Sequence, residues 1–142
     1  MASCRDKEKN MSDIAAYLEA IKLKLVTSRV IADYQIVKER TTATDGYLRI
    51  RATLHNGDFL EAAEYFERVP EKVRTVDYRY QWMDSMKKEL RCRWDSTPDH
   101  PELPNFPYHI HQGSEENVAS SQVLSICQVL DLIADAIFGE DG

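Results

Sequence analysis

Two periodicities divide the chain: helical spacing near its ends and a period of two between them. In SDIAAYLEAIKLKL, Ile14, Tyr17, Leu18, Ile21 and Leu25 recur on one helix face, with Ser12 as the expected N-cap. From Val30 the pattern alternates, placing Val30, Ala32, Tyr34 and Ile36 on one side. Asp45-Gly46 marks a turn, and YLRIRATL follows with Leu48, Ile50, Ala52 and Leu54 opposed to Tyr47, Arg49, Arg51 and Thr53. Asn56-Gly57 marks a second turn before the less regular FLEAAEYFE. TVDYRYQW sets Val76, Tyr78, Tyr80 and Trp82 against Asp77, Arg79 and Gln81, and ELRCRWD sets Leu90, Cys92 and Trp94 against Arg91, Arg93 and Asp95. The stretch SSQVLSICQVLDLIADAIF closes the pattern as a helix, with Val123, Cys127, Leu130, Ile133, Ala134 and Ile137 on its apolar side and Ser120 and Ser121 as caps.

Five strands joined by short turns predict an antiparallel meander, because tight hairpins cannot join parallel neighbours. A sheet with one apolar face needs a cover, and the two amphipathic helices supply it. The expected fold is therefore α+β, with an N-terminal and a C-terminal helix packed on one face of a five-stranded sheet. Residues 1–10 are expected to be a disordered tail, and 11–142 a single domain.

Composition narrows the function classes. A chain of 142 residues with 43% hydrophobic and 30% charged residues is that of an ordinary globular domain. The polar MASCRDKEKN predicts no secretory signal, and no apolar run reaches the length of a membrane span. Cys4, Cys92 and Cys127 lack the spacing of a zinc clip or a disulfide framework, which points to a reducing cytoplasm. A net charge of −6 argues against binding polyanions through the surface as a whole. A local patch would have to do it.

The alternation offers one. The parity that buries the aliphatic side turns Arg49, Arg51, Arg79, Arg91 and Arg93 to the opposite face, same-side neighbours on a strand standing about 7 Å apart. Such a field could hold phosphates or RNA. Glu61, Asp77, Glu89 and Asp95 share the parity, so the face could equally be a surface of cross-strand ion pairs.

The remaining chemistry lies in RCRWDSTPDHPELPNFPYHIHQG, which holds three of the four histidines and four of the five prolines. Prolines 98, 101, 104 and 107 predict a stiff, open loop. His109 and His111 stand two apart in an extended segment, so both imidazoles can face one side. With His100 they could serve as general acid and base beside the phosphate-binding arginines, with Asp95, Asp99 and Glu102 as supporting groups. They could instead hold a metal, His109 and His111 being the core of such a set, or merely tie the loop down by hydrogen bonds. His55, in a hairpin turn, is expected to be solvated, and Trp82 and Trp94 have core parity. No Gly-rich phosphate loop, Gly-x-Ser-x-Gly elbow or His-Glu-x-x-His helix is present, and no cofactor is expected.

The pieces GYLRIRATLHNGDFLEAAEYFE, YRYQWMD, LRCRWDSTPDHPELPNFPYHIHQG and EENV resemble the TumE family of small prokaryotic toxins over roughly residues 29–125. The matching motif falls on Arg93, Trp94, Asp95, Pro98, His100, Pro101, Glu102, Phe106, Pro107, His109 and His111. Asp99 and Tyr108 stand where the family often has further histidines, so a mechanism needing histidine there is not expected. The resemblance implies a cytosolic toxin paired with an antitoxin that carries a helix-turn-helix DNA-binding domain. Three functions follow as expectations: an RNA-cleaving or RNA-modifying enzyme, a non-enzymatic protein that binds an antitoxin or cellular target, or a small metal-binding domain. An open sheet with two edges also allows a homodimer.

Overall fold

The computed structural model describes residues 13–139, so the expected tail at 1–10 and the Ser12 cap lie outside the described residues. Helix α1 spans Ile14–Thr27, capped by the side chain of Asp13, which accepts from the Ala15 amide at 2.8 Å. Ile14, Tyr17, Leu18, Ile21 and Leu25 are its buried positions, the five that the spacing predicts.

Seven strands follow among the described residues, two more than the pattern predicts: β1 (Ile31–Thr41), β2 (Asp45–Leu54), β3 (Phe59–Val69), β4 (Lys72–Met83), β5 (Leu90–Asp95), β6 (His109–Gln112) and β7 (Val118–Ser120). They form one antiparallel sheet in the order β1-β2-β3-β4-β5-β6-β7, so every strand lies beside its sequence neighbours. The extra strands are the His-x-His segment and a three-residue piece after it, both too short to show alternation. Helix α2 then runs Ile126–Phe138, starting later than the apolar pattern predicts. Its cap is Ser125, in a reciprocal pair with Gln128, and not Ser120 or Ser121. Residues ahead of Ser125 are committed to β7 and an extended connection, which leaves Val123 exposed.

The core lies between the two helices and one face of β2–β5. Leu48, Ile50, Leu54, Leu60, Ala62, Phe66 and Tyr80 meet Ile21, Leu25, Ile126, Val129, Leu130 and Ile133, all at most 1% exposed. At about 25 cal/mol per Å² of apolar surface removed from water, this layer is the main source of stability. Four register shifts interrupt the strands, at Ala32, Val37, Val76 and Arg91, and three of them correct the expected faces. Val76 is an extra residue in β4, so Thr75 and not Val76 takes the inward place. Ala32 is skipped in β1, which leaves Val30 and Ile31 buried and most of that edge strand exposed. Arg91 is skipped in β5. Trp82 is half-buried, its indole N–H donating to Asp58 at 2.9 Å, whereas Trp94 is buried as expected.

One polar group sits inside the apolar layer. Glu64, on β3, is fully buried; the Ile126 amide (2.9 Å), the Thr75 hydroxyl (2.8 Å) and the Tyr17 hydroxyl donate to it. It therefore joins the sheet to the first turn of α2 and to α1. Burial raises its pKa above the ordinary carboxyl value, against the pull of those donors. Among the described residues no helix is long and apolar enough to cross a membrane.

Candidate functional site

Strand pairing arranges the face opposite the helices into two rows that cross the sheet. One row reads Arg49, Ala63, Arg79, Asp95, His109, and the next reads Arg51, Glu61, Gln81, Arg93, His111. Four of the five predicted arginines thus share a face with both histidines of the His-x-His segment. Arg91 does not join them. Displaced by its bulge, it meets Asp58 Oδ2 at 3.4 Å, the oxygen that also accepts from the Trp82 indole.

The arginine field is largely neutralised. Arg49 and Arg51 share Glu61 at 2.9 and 2.8 Å. Arg93 is buried, an outcome that parity alone does not predict: it donates to Asp95 Oδ2 at 3.1 Å and grips Glu115 with two nitrogens, one at 2.6 Å. The Glu115 bonds, with those of Asp95, raise the Arg93 pKa against burial, and Arg93 in turn holds the Glu115 carboxyl below its ordinary range. Arg79 alone among the four has no carboxylate partner among the described residues; it is exposed and donates to Gln81 at 3.2 Å.

The histidines converge. The loop does not run open and extended: turns closed by Leu103 N–H to His100 C=O and Tyr108 N–H to Asn105 C=O fold it back. That fold brings His100 against the other two, with ring centres 5.0 Å from His109 and 5.7 Å from His111; His109 and His111 are 4.9 Å apart. One ring nitrogen of each lies within 4.8 Å of the others. His109 and His111 are 1% and 4% exposed, yet neither belongs to the apolar layer under the helices.

Hydrogen bonding fixes which nitrogens are free. His109 Nδ1 lies 2.8 Å from the Pro107 carbonyl and His111 Nδ1 lies 2.8 Å from the Glu115 carbonyl. A carbonyl only accepts, so each Nδ1 carries the proton and each Nε2 of a neutral ring presents a lone pair. His100 makes the corresponding contact through Nδ1 to Glu102 at 3.2 Å. The Nε2 of His109 is buried without an aligned hydrogen-bond partner, though Asp95 Oδ1 is only 2.9 Å away. An unpaired buried acceptor costs roughly 1–3 kcal/mol. Asp95 is itself almost wholly buried. Burial works against its charge, but the Thr97 hydroxyl (2.7 Å) and amide (3.0 Å), with His109 and Arg93, outweigh it and hold the carboxyl below its ordinary value.

The three supporting residues named from the sequence are therefore all bonded near the cluster: Asp95 beside His109, Glu102 on His100, and Asp99 on the Thr97 hydroxyl at 2.6 Å. Chain alternation missed Glu115 and Thr97. The signal for Glu115 was available, since it opens the EENV piece of the family motif. Chemically, the arrangement offers two or three lone pairs beside an ionised carboxylate, which can take up protons or hold a divalent metal.

No curated protein and no solved structure matches the chain. The family model described as toxin TumE matches residues 19–137, and the chain therefore belongs to the TumE toxin family.

Proposed function

We propose that this toxin harms the cell by cleaving RNA at the cluster of His100, His109 and His111. One observation carries the reading: two buried imidazoles and a third folded over them gather on the sheet face that the hydrophobic core does not use, with Nε2 of His109 left unpaired. The reaction that suits an open, neutral-to-cationic face is internal transesterification. The 2′-hydroxyl oxygen attacks the adjacent phosphorus, the bond from phosphorus to the 5′-oxygen breaks, and the departing oxygen receives a proton equivalent to the one lost. Lone pairs on His109 and His111 can take that first proton directly or hold a cation that promotes its loss. Arg79, exposed in the same row as His109, supplies positive charge toward the phosphate.

An antitoxin partner follows from the family, and we take it to carry the helix-turn-helix domain and to act in the cytoplasm. The exposed β1 edge, where Ile36 and Val37 are 40% and 44% exposed, is where such a partner or a second copy would add a strand.

The test pairs purified wild-type protein with the His109→Ala/His111→Ala variant and with His100→Ala, whose residue lies on the loop. Total cellular RNA should be fragmented by the wild type and left intact by both variants, with circular dichroism checking that they fold. Equal RNA integrity with all three proteins would refute the reading. A second reading has its own support: Arg49, Arg51 and Arg93 are already neutralised, as in a surface built for protein contact. Growth arrest that survives loss of all three histidines would favour that non-enzymatic toxin.

A further inference from the structure

We propose that His100, His109 and His111, with Asp95 beside them, form a binding site for one divalent transition metal of the zinc class. Four independent features meet there. The three ring nitrogens already lie within 4.8 Å of one another. The two buried rings have their tautomer set by backbone carbonyls through Nδ1, the outer-shell arrangement that aims Nε2 at a metal and strengthens it as a ligand. His109 Nε2 is buried without a hydrogen-bond partner. Asp95 Oδ1 stands 2.9 Å from that nitrogen, which puts a carboxylate oxygen beside the imidazole as a further donor for a cation.

Donor chemistry selects the metal. Three imidazoles suit zinc and its neighbours, whereas magnesium and calcium require mostly oxygen. Around zinc at about 2.0–2.1 Å per nitrogen, tetrahedral ligands stand roughly 3.3 Å apart. Reaching that spacing asks the three rings to draw together, and His100 is the ligand freest to move. It sits on the turn-rich loop with 27% of its side chain exposed, while His109 and His111 are fixed in β6. A three-histidine zinc centre keeps a further position for water or substrate, so the site would also supply the positive charge that the neutralised arginines do not. The inference does not depend on RNA being the substrate.

The experiment uses the full chain without a histidine tag, stripped with chelator and titrated with zinc chloride at neutral pH by calorimetry and by competition with a chromophoric chelator. One equivalent should bind, magnesium chloride should produce no signal, and zinc should raise the melting temperature. Loss of a protein ligand should cost at least the roughly 10- to 100-fold in affinity typical of an outer-shell partner. His109→Ala and His100→Ala should both show it, the second without disturbing the sheet, while His55→Ala, which alters the exposed hairpin-turn histidine, should bind as wild type. Binding unchanged in His100→Ala and His109→Ala, lost in His55→Ala, or absent in the wild type would overturn the proposal. None of these readouts uses RNA cleavage, so failure of the ribonuclease reading leaves a separate signature.

Discussion

Nε2 of His109 lies 2.9 Å from Oδ1 of Asp95 across the β5–β6 ladder, and the two side chains are only 1% and 3% exposed. A carboxylate is kept charged there by Thr97, His109 and Arg93 despite burial, so removing its charge reaches both rows, through His109 in its own and Arg93 in the next.

Asp95→Asn should destabilise the protein by roughly 1.5–3 kcal/mol at pH 7, the range for hydrogen bonds to charged groups. The folded-state pKa of Asp95 is lowered, so its contribution is present above the unfolded value of about 3.9 and is lost as pH falls through the folded value. Denaturant unfolding at several pH values should therefore show the penalty shrinking below about pH 4. A penalty constant down to pH 2 would mean that Asp95 acts through shape alone.

Glu64 has the opposite sign. Its pKa is raised by burial, so the folded chain keeps a proton that the unfolded chain loses above about pH 4.3. Folding then takes up a proton, and this group makes the protein less stable as pH rises from that value toward the folded pKa. Glu64→Gln removes the dependence. Its melting temperature relative to wild type should climb between pH 4 and pH 8, and a flat difference across that range would contradict a protonated Glu64.

Arg79→Ala should leave stability within about 0.5 kcal/mol, as for other exposed positions free of special contacts. If RNA lies on this face, its affinity should drop and the slope of log affinity against log salt should weaken by about 0.7–1. Arg49→Ala, whose guanidinium already serves Glu61, should change that slope less. Fluorescence anisotropy with a short single strand measures both, and equal slopes for the two variants would remove the distinction.

Gly46 pairs with Phe66 across β2 and β3, and a methyl group on Gly46 would overlap that ring. Phe66 is fully buried against Tyr17, ring centres 4.5 Å apart, and has no room to yield. Gly46→Ala should cost about 1–3 kcal/mol, the range for overpacking a core, measurable by denaturant unfolding.

Period-two alternation was enough to place β2, β4 and β5 and the shared face of Arg49, Arg51, Arg79 and Arg93, because each of those strands is half covered, whereas β3 reads as less regular in sequence. It failed where an extra residue enters a strand, at Ala32, Val76 and Arg91, since a bulge changes parity without a composition signal. It also failed at β6 and β7, four and three residues long, which pairing with β5 creates. The late start of α2 was legible in Ser125-x-x-Gln128, a capping box that the broader apolar run obscured. The candidate site was legible as a residue set and not as a geometry. Nothing local tells that His100 turns back over β6, that Glu115 closes on Arg93, or that two carbonyls choose the tautomers.

Sheet order that copies chain order has a biosynthetic consequence. The ribosome finishes β1 to β5, with their arginines and Asp95, before it reaches either buried imidazole in β6. A chain cut ahead of His109 would hold the arginine-bearing strands and Asp95 but neither of the buried imidazoles that pair with them across the β5–β6 ladder.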